Sequence, residues 1–503
     1  MNGESRFPNL TRRHLLKGTA AAAAASLLPW QRAIATTQRA ASSRQPIPSG
    51  AITPVPLTVT ANAAGSVLPA FAGLAYPKGK ILGSLFTGAD KSLIGMFKRL
   101  GPSLLRLGGT PVDQSVWTPN GPGGVQGHVS PKDIENLAAF IKATGWQCLY
   151  GINLAGATTP ALAVDEATYV YEKLGSSLVS IELGNEPDFY GRPGQPFAGN
   201  WSFDQYIALW TKYRNAIVNS LPTIPISGPA SGGNPFTWTV PFGQTVAGQN
   251  INMLTQHYYV GDGQVATSTV DNLLQTGLHH DLVRELAALR SQSESLGIPF
   301  RMNECNSYFS NGSNPAPINI PATYTAALWA LDYMFMCAQG GAQGVNFEGG
   351  GNVAGYSPML NDANGVTAVC PLYYAMLLFT LAGTGTVLET VVSPGALNVT
   401  AYALSSPSGG MSVVVLNKES SANIQLQIEL PQNVTKASLM ELTQLSPGAT
   451  GPNLLATSGV TIQGAEVSTG GAFSPAAPYQ LTPDVNQVSC YVPALSAVLI
   501  QLS

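Results

Sequence analysis

From Phe71 onward, short apolar runs alternate with amphipathic stretches of helical length. A brief continuous apolar run reads as a buried strand, and apolar residues recurring every three or four positions read as a helix with one face on a core. The pattern predicts strands at 71–76, 103–107, 147–153, 179–183, 224–227, 253–259, 299–303 and 344–347. It predicts helices at 90–100, 131–144, 161–174, 203–219, 281–296, 321–339 and 371–382. Ser130-Pro131 followed by Asp133 reads as an N-cap with proline at the first helical position, and Ser202 with Gln205 fits a capping box. Gly101, Gly145, Gly175 and Gly297 stand where C-terminal caps belong. Eight strand and helix units over roughly 310 residues match a (β/α)8 barrel, which gathers active sites at the C-terminal ends of its strands. A doubly wound sheet is the competing architecture. No GxGxxG follows a strand and no GxxxxGK is present, so the nucleotide sites usual in such sheets lack support.

Past Gly383 the period changes from helical to alternating. Asn398–Ala403, Met411–Leu416, Ile424–Leu430 and Ala494–Leu502 read as strands separated by Gly, Pro and Asn clusters, which predicts an antiparallel β-sandwich. The barrel is expected over 67–383 and the sandwich over 384–503. The alternating run Leu57–Thr60, within 56–66, precedes the first barrel strand and is expected to join the sandwich. Residues 36–55, rich in Ser, Thr, Ala, Gln and Pro, read as a solvated linker, with order beginning near Pro56.

Of 503 residues, 45% are hydrophobic and only 10% charged, which excludes intrinsic disorder for most of the chain. The 53 Gly and 37 Pro fit many turns and long loops and exclude a coiled coil. Net charge is −3, without the basic surplus that phosphate backbones require, so nucleic acid is not an expected partner. The first 35 residues carry Arg6, Arg12, Arg13, Lys17 and Arg32 against Glu4, leaving 19 basic and 26 acidic residues, or −7, for the rest. Thr11-Arg12-Arg13-His14-Leu15-Leu16-Lys17, the weakly apolar Gly18–Leu28 and Ala33-Ile34-Ala35 form a twin-arginine export signal over 1–35, with cleavage expected after Ala35. The apolar stretch is too short for a stable membrane anchor. A periplasmic or extracellular chain is expected. The five cysteines are scattered without a CxxC pair, so neither a zinc ribbon nor a disulfide framework is indicated, although one disulfide remains open.

Because acids are scarce, those at strand ends carry information. Strand four ends in Ile181-Glu182-Leu183-Gly184-Asn185-Glu186-Pro187 and strand seven in Arg301-Met302-Asn303-Glu304-Cys305-Asn306. Two carboxyls facing across a barrel mouth are what glycosidic cleavage requires: one gives a proton to the departing oxygen and the other attacks or stabilises the anomeric carbon. A separation of about 5 to 5.5 Å predicts retention of configuration, and about 6.5 to 9.5 Å predicts inversion.

Asn185-Glu186-Pro187 on strand four with Glu304 on strand seven resembles the large clan of retaining glycosidases built on this barrel. Leu105-Arg106-Leu107-Gly108-Gly109-Thr110-x-x-Asp113, Gln256-His257-Tyr258-Tyr259 and Leu183-Gly184-Asn185-Glu186-Pro187-Asp188 narrow the resemblance to glycoside hydrolase family 79, the β-glucuronidase and heparanase family. That family joins a barrel to a β-sandwich, so the resemblance spans about 56–503. It implies Glu186 as acid/base, Glu304 as nucleophile, Asn185 as ligand of the sugar 2-hydroxyl and Tyr259 as hydrogen-bond partner of the nucleophile. It implies a uronate-binding loop at Ser307-Tyr308-Phe309-Ser310-Asn311-Gly312, so that Tyr308, Asn311 and Gly312 are expected at the substrate. Tyr356 of the strand-eight loop, Thr110 and Asp113 complete the expected binding residues. Heparanase-like members carry an acidic residue just after strand one, where this chain departs with Leu74-Ala75-Tyr76-Pro77-Lys78; Lys78 reads as a surface lysine.

Other chemistries find no support. The histidines give no HExxH, and His279-His280-Asp281 reads as a helix start; no metal and no organic cofactor are expected. There is no G-x-S-x-G elbow, and Cys305 reads as a small buried residue. Trp117, Trp201, Trp238 and Tyr308 are candidates to stack on sugar faces. The expected activity is hydrolysis of terminal β-D-glucuronic acid from glycans or glycosides. The alternatives are endo cleavage of a uronic-acid polymer, which a charge near −7 disfavours for sulfated chains, and a carbohydrate-binding barrel without catalysis.

Overall fold

The structure is a computed structural model describing residues 44–275, 280–309, 319–350, 356–446 and 448–503. The twin-arginine segment, Asn311 and Gly312 lie outside the described residues. Eight parallel strands close in sequence order: Ala72–Pro77, Leu104–Gly108, Gln147–Ile152, Leu178–Leu183, Ile226–Ser231, Ile251–Asp262, Phe300–Phe309 and Val345–Glu348, hereafter barrel strands one to eight. This is the (β/α)8 barrel that the pattern predicts. The helices between them bury apolar stripes: Lys91–Arg99 sinks Leu93, Ile94, Met96 and Phe97, and Pro131–Thr144 sinks Ile134, Leu137, Phe140 and Ile141. Ser130 is the expected N-cap with Pro131 at the first helical position, Asp133 completes a capping box with it, and Gly145 ends that helix in the left-handed region that favours glycine.

Differences from the expected elements have local causes. Strands six and seven run to Asp262 and Phe309, several residues past their predicted ends, because the backbone ladder between these neighbours continues through Tyr308 beside Gly261 and Phe309 beside Asp262. The helix Thr239–Thr245 contains Pro241 and Gly243 and spans under two full turns, so it left no periodic signal. The helix opened by His280 runs to Leu296. All five cysteines are free and buried, which closes the disulfide option.

The second module is a sheet ordered Val460–Ile462, Ala437–Gln444, Ser496–Leu502, Met411–Asn417, Val399–Ser405, Gly385–Val392, Ile52–Val67, Asn423–Glu429 and Gln487–Val492. Strand Ile52–Val67 does enter it, antiparallel to Gly385–Val392 and parallel to Asn423–Glu429, the latter being the one departure from antiparallel pairing. Order begins before Pro56: the strand starts at Ile52, and Gln45 exchanges hydrogen bonds with the backbone of Tyr491. Pro54 and Pro56 hid this segment, yet a strand portion with one ladder partner tolerates the missing N–H groups. Alternation gives the sheet two apolar faces. Val413, Val415, Val498 and Ile500 join Val55, Leu57, Ile424 and Leu426 in a core of its own, while Val414, Leu416, Ala497 and Leu499 merge with the barrel core.

Candidate active site

The C-terminal ends of the barrel strands surround a cavity of about 800 Å³, within the range of small-molecule sites. Its lining includes Thr110, Asp113, Asn185, Glu186, Phe189, Tyr259, Glu304, Phe309 and Tyr356.

Glu304 and Glu186 stand in opposite environments. Glu304 is 7% exposed; its Oε2 accepts from Arg106 Nη1 at 2.7 Å and its Oε1 from the Tyr259 hydroxyl at 2.9 Å. Burial pushes this carboxyl up, but His257, Arg106 and Tyr259 together outweigh burial and hold it below the ordinary glutamate range. Glu186, with a quarter of its side chain exposed, meets His257 Nδ1 at 3.1 Å through Oε1. It follows Leu178–Leu183 through Gly184 and Asn185, and its own backbone is left-handed with φ 49°. For a residue with a Cβ this costs about 1–2 kcal/mol, offset by the bond from Glu186 N to the Ala230 carbonyl at 2.9 Å. Gly232 leaves the carboxylate room, since a Cβ there would lie 2.4 Å from Glu186 Oε1.

Beneath the pair, Arg106 is wholly buried. Its Nε donates to Glu182 Oε2 at 3.0 Å and its Nη2 to Asn185 Oδ1 at 2.9 Å. Glu182 in turn accepts from Thr255 Oγ1 and Asn303 Nδ2, so each charge in the barrel floor is hydrogen-bonded, as burial requires. Arg106 therefore fixes both Glu304 and Asn185. Gly109 N also donates to Asn185 Oδ1, which commits the amide oxygen and leaves the amino group to face a ligand.

The other expected residues divide. Tyr259, Thr110, Asp113 and Tyr356 line the cavity with Asn185, Glu186 and Glu304. Asp113 is spent on the protein: its oxygens accept from Leu154 N, Ala155 N, Asn185 N and the Tyr190 hydroxyl, bracing the loops after strands two, three and four. Tyr308 is not in the lining; it is 3% exposed, and its hydroxyl donates to the Thr269 carbonyl. Because Ser307, Tyr308 and Phe309 continue strand seven instead of starting a loop, Phe309 takes the rim position. Trp117, Trp201 and Trp238 are also absent from the lining. Trp117 donates to Asp165, Trp201 stacks on Phe197 and donates to the Pro187 carbonyl, and Trp238 packs on Phe203 and Tyr206. Lys78 is not the expected surface lysine: it is fully buried with Nζ 2.7 Å from Glu166 Oε1 and over the Tyr150 ring.

Sequence reasoning passed over Arg106, Glu182 and His257 as functional groups. A charged residue in an otherwise apolar strand, as in Leu104-Leu105-Arg106-Leu107, was the available signal. Glu186, His257 and Glu304 bring ligand-type atoms within 4.8 Å of one another. Arg106 already sits on Glu304 Oε2, so a dication there would face a fixed guanidinium; the arrangement sets two carboxyls of unlike environment across one cavity.

Residues 9–29 match the family described as TAT (twin-arginine translocation) pathway signal sequence. The chain is thus addressed for export to the periplasm or the outside of the cell. Among the described residues no helix is long and apolar enough to cross a membrane. A search of curated proteins gave no match. Solved structures share the fold. A 4-O-α-L-rhamnosyl-β-D-glucuronidase from Fusarium oxysporum 12S aligns at TM-score 0.71 and 19% identity, over 90% of this chain and 100% of its own. A family 51 arabinofuranosidase from Xanthomonas axonopodis pv. citri aligns at TM-score 0.61 and 14% identity, over 90% and 100%. A family 44 xyloglucanase from Paenibacillus polymyxa aligns at 0.60 and 11%, over 90% and 100%.

Proposed function

We propose that the chain is an exported retaining β-glycosidase, and specifically a β-glucuronidase releasing terminal β-D-glucuronic acid. The observation that carries the reading is the pair of carboxyls across the barrel mouth, one held ionised by Arg106 and Tyr259 and one more exposed beside an imidazole, with ligand oxygens within 4.8 Å. That closeness fits the shorter separation, at which the second carboxylate attacks directly.

In the first step Glu186 gives its proton to the glycosidic oxygen while Glu304 attacks the anomeric carbon. The bond to the aglycone breaks, the aglycone leaves as an alcohol, and an ester joins the sugar to Glu304. In the second step Glu186 takes a proton from water, the water oxygen attacks the anomeric carbon, and Glu304 departs as a carboxylate. Asn185, held by Arg106, is placed to meet the sugar 2-hydroxyl. Asp113 acts as a positioning residue for Asn185. The glucuronate glycone is supported by the motifs around strands two, four and six and by the likeness to the rhamnosyl-glucuronidase.

The test compares 4-nitrophenyl β-D-glucuronide with the matching β-D-glucoside, using the chain from Thr36 and its Glu304→Gln and Glu186→Gln variants. Cleavage of the glucuronide in preference, a first-formed product of β configuration by NMR, and loss of turnover in Glu304→Gln are expected. Inversion would overturn the assignment of Glu304 as nucleophile, and silence on both substrates would leave a polymer-acting enzyme or a sugar-binding barrel.

A further inference from the structure

Barrel strand eight brings another carboxyl to the same mouth. Asn346 of Val345–Glu348 turns into the barrel and donates to the carbonyls of Leu74 and Leu104, whereas Phe347 packs outward on Trp329 and Tyr333. The period of two returns Glu348 to the interior, beside Ala75 of strand one, which pairs in turn with Arg106 of strand two. Ala75 carries only a methyl group and nothing that can bond to it. Glu348, 4% exposed, is not itself in the cavity lining, which Asn185 at 5% and Glu304 at 7% help to form; it stands at the end of its strand, within electrostatic reach of Glu304 and Glu186 of that lining.

Among the described residues, Glu348 Oε2 is buried without a hydrogen-bond partner. A buried polar atom left without a partner is rare and calls for a specific cause. Burial drives this carboxyl well above the ordinary glutamate range, and the neighbouring Glu304 and Glu186 reinforce the rise against Arg106 and Lys80. A neutral carboxyl offers both an O–H donor and an acceptor, the same pair that a sugar hydroxyl presents. Barrel order sets strand eight next to strand seven and far from strand four. Since the proton donor on strand four marks the leaving group, strands seven, eight and one border the glycone.

We propose that Glu348 is a further substrate-binding residue, whose free carboxyl oxygen meets a ring hydroxyl of the glycone seated against Glu304. The inference rests on the glycosidase reading and adds to it a contact from strand eight. A purely structural role for Glu348 predicts that its removal weakens the fold; a group kept for a ligand predicts the reverse.

The experiment measures kcat, KM and Tm on 4-nitrophenyl β-D-glucuronide for the wild type, Glu348→Gln and Glu348→Ala. Glutamine keeps a neutral donor and acceptor and is expected within about 3-fold of wild type, whereas alanine is expected to lose about 10- to 100-fold in kcat/KM. Tm should hold in Glu348→Gln, which keeps a neutral polar group in place, and hold or rise in Glu348→Ala, which removes the orphaned buried oxygen. Wild-type kcat/KM in Glu348→Ala, an equal loss in both variants, or a loss of activity that follows a fall in Tm would each overturn the proposal. If the wild type cleaves no 4-nitrophenyl glycoside, the glycosidase reading fails separately. Calorimetry with free glucuronic acid then decides the contact: weaker binding to Glu348→Ala supports it, and equal binding or none overturns it.

Discussion

One hydroxyl helps decide how far into acid Glu304 keeps its charge. Tyr259 donates to Oε1 while Arg106 holds Oε2, and a bond to a charged acceptor is worth about 1.5–3 kcal/mol. A carboxyl whose native pKa is lowered is ionised, and reactive, down to a lower pH than a free glutamate. On the proposed reading of Glu304 as nucleophile, the acid limb of kcat/KM, which reports the free enzyme's essential groups, is therefore expected below the ordinary glutamate range. Tyr259→Phe removes the donor and keeps the ring, so that limb should move to higher pH and kcat should fall by about 10-fold or more. A pH profile of both proteins checks this, and an unmoved limb would detach Tyr259 from the ionisation. Glu441 behaves oppositely. Burial raises its carboxyl to about 7, so the folded state binds a proton that the unfolded chain gives up from about pH 4.3 upward. The resulting loss of stability grows between those values and is complete above the upper one. Glu441→Gln should accordingly raise stability by about 1–3 kcal/mol at pH 8 and leave it unchanged at pH 4, as denaturant titrations at both values would show. At this scale Glu186 and Glu304 were legible because acids are few and strand ends are special. Arg106 lies within a motif of strand two, but its three partners come from strands four and seven and the loop after strand four, and only closure of the barrel brings them together.

Elements were more legible than contacts. The eight barrel strands and seven long helices follow directly from periodicity, because each buries a continuous run or a stripe. What periodicity cannot give is where an element's polar residues end up, and Lys78 illustrates it. The single turn Lys78–Ile81 after strand one folds inward, so the ammonium enters the space between strand three and the helix Pro160–Leu174, meeting Glu166 and the Tyr150 ring. Nothing in Tyr76-Pro77-Lys78-Gly79 marks that direction. A buried pair with one member removed leaves an uncompensated charge, worth about 3–5 kcal/mol. Lys78→Met should lose that amount, and adding Glu166→Leu should restore part of it, less the cost of leaving the Tyr150 hydroxyl without the Glu166 acceptor to which it donates. Thermal melts of the single and double variants measure the coupling; additive losses would show that the pair contributes through packing alone.

For the whole molecule, the question is whether the sheet and the barrel unfold as one. Their junction is built on the helix Tyr324–Gln339, which follows the strand bearing Glu304. Asp332 of this helix, almost fully buried, accepts from Thr400 and Tyr402 and holds Lys418 Nζ at 2.5 Å, all three donors belonging to the sheet module. Phe335 stacks on Tyr402 with centroids 4.6 Å apart, and the Tyr324 hydroxyl donates to the Leu495 carbonyl. With one face of the sheet merged into the barrel core, neither module has a complete core without the other. Two-state melting is therefore expected, with far-UV signal and activity lost together. Asp332→Ala strands the Lys418 ammonium in the interface and should destabilise the protein by about 3–5 kcal/mol, lowering Tm by roughly 3–5 °C. The transition should stay single, because the helix that loosens belongs to both cores. Calorimetry on the wild type and on Asp332→Ala separates the cases: two resolved transitions in either would mean that the sheet folds on its own and merely rests on the barrel, whereas one transition shifted as a whole makes it part of the scaffold that holds strand seven and its carboxylate in place.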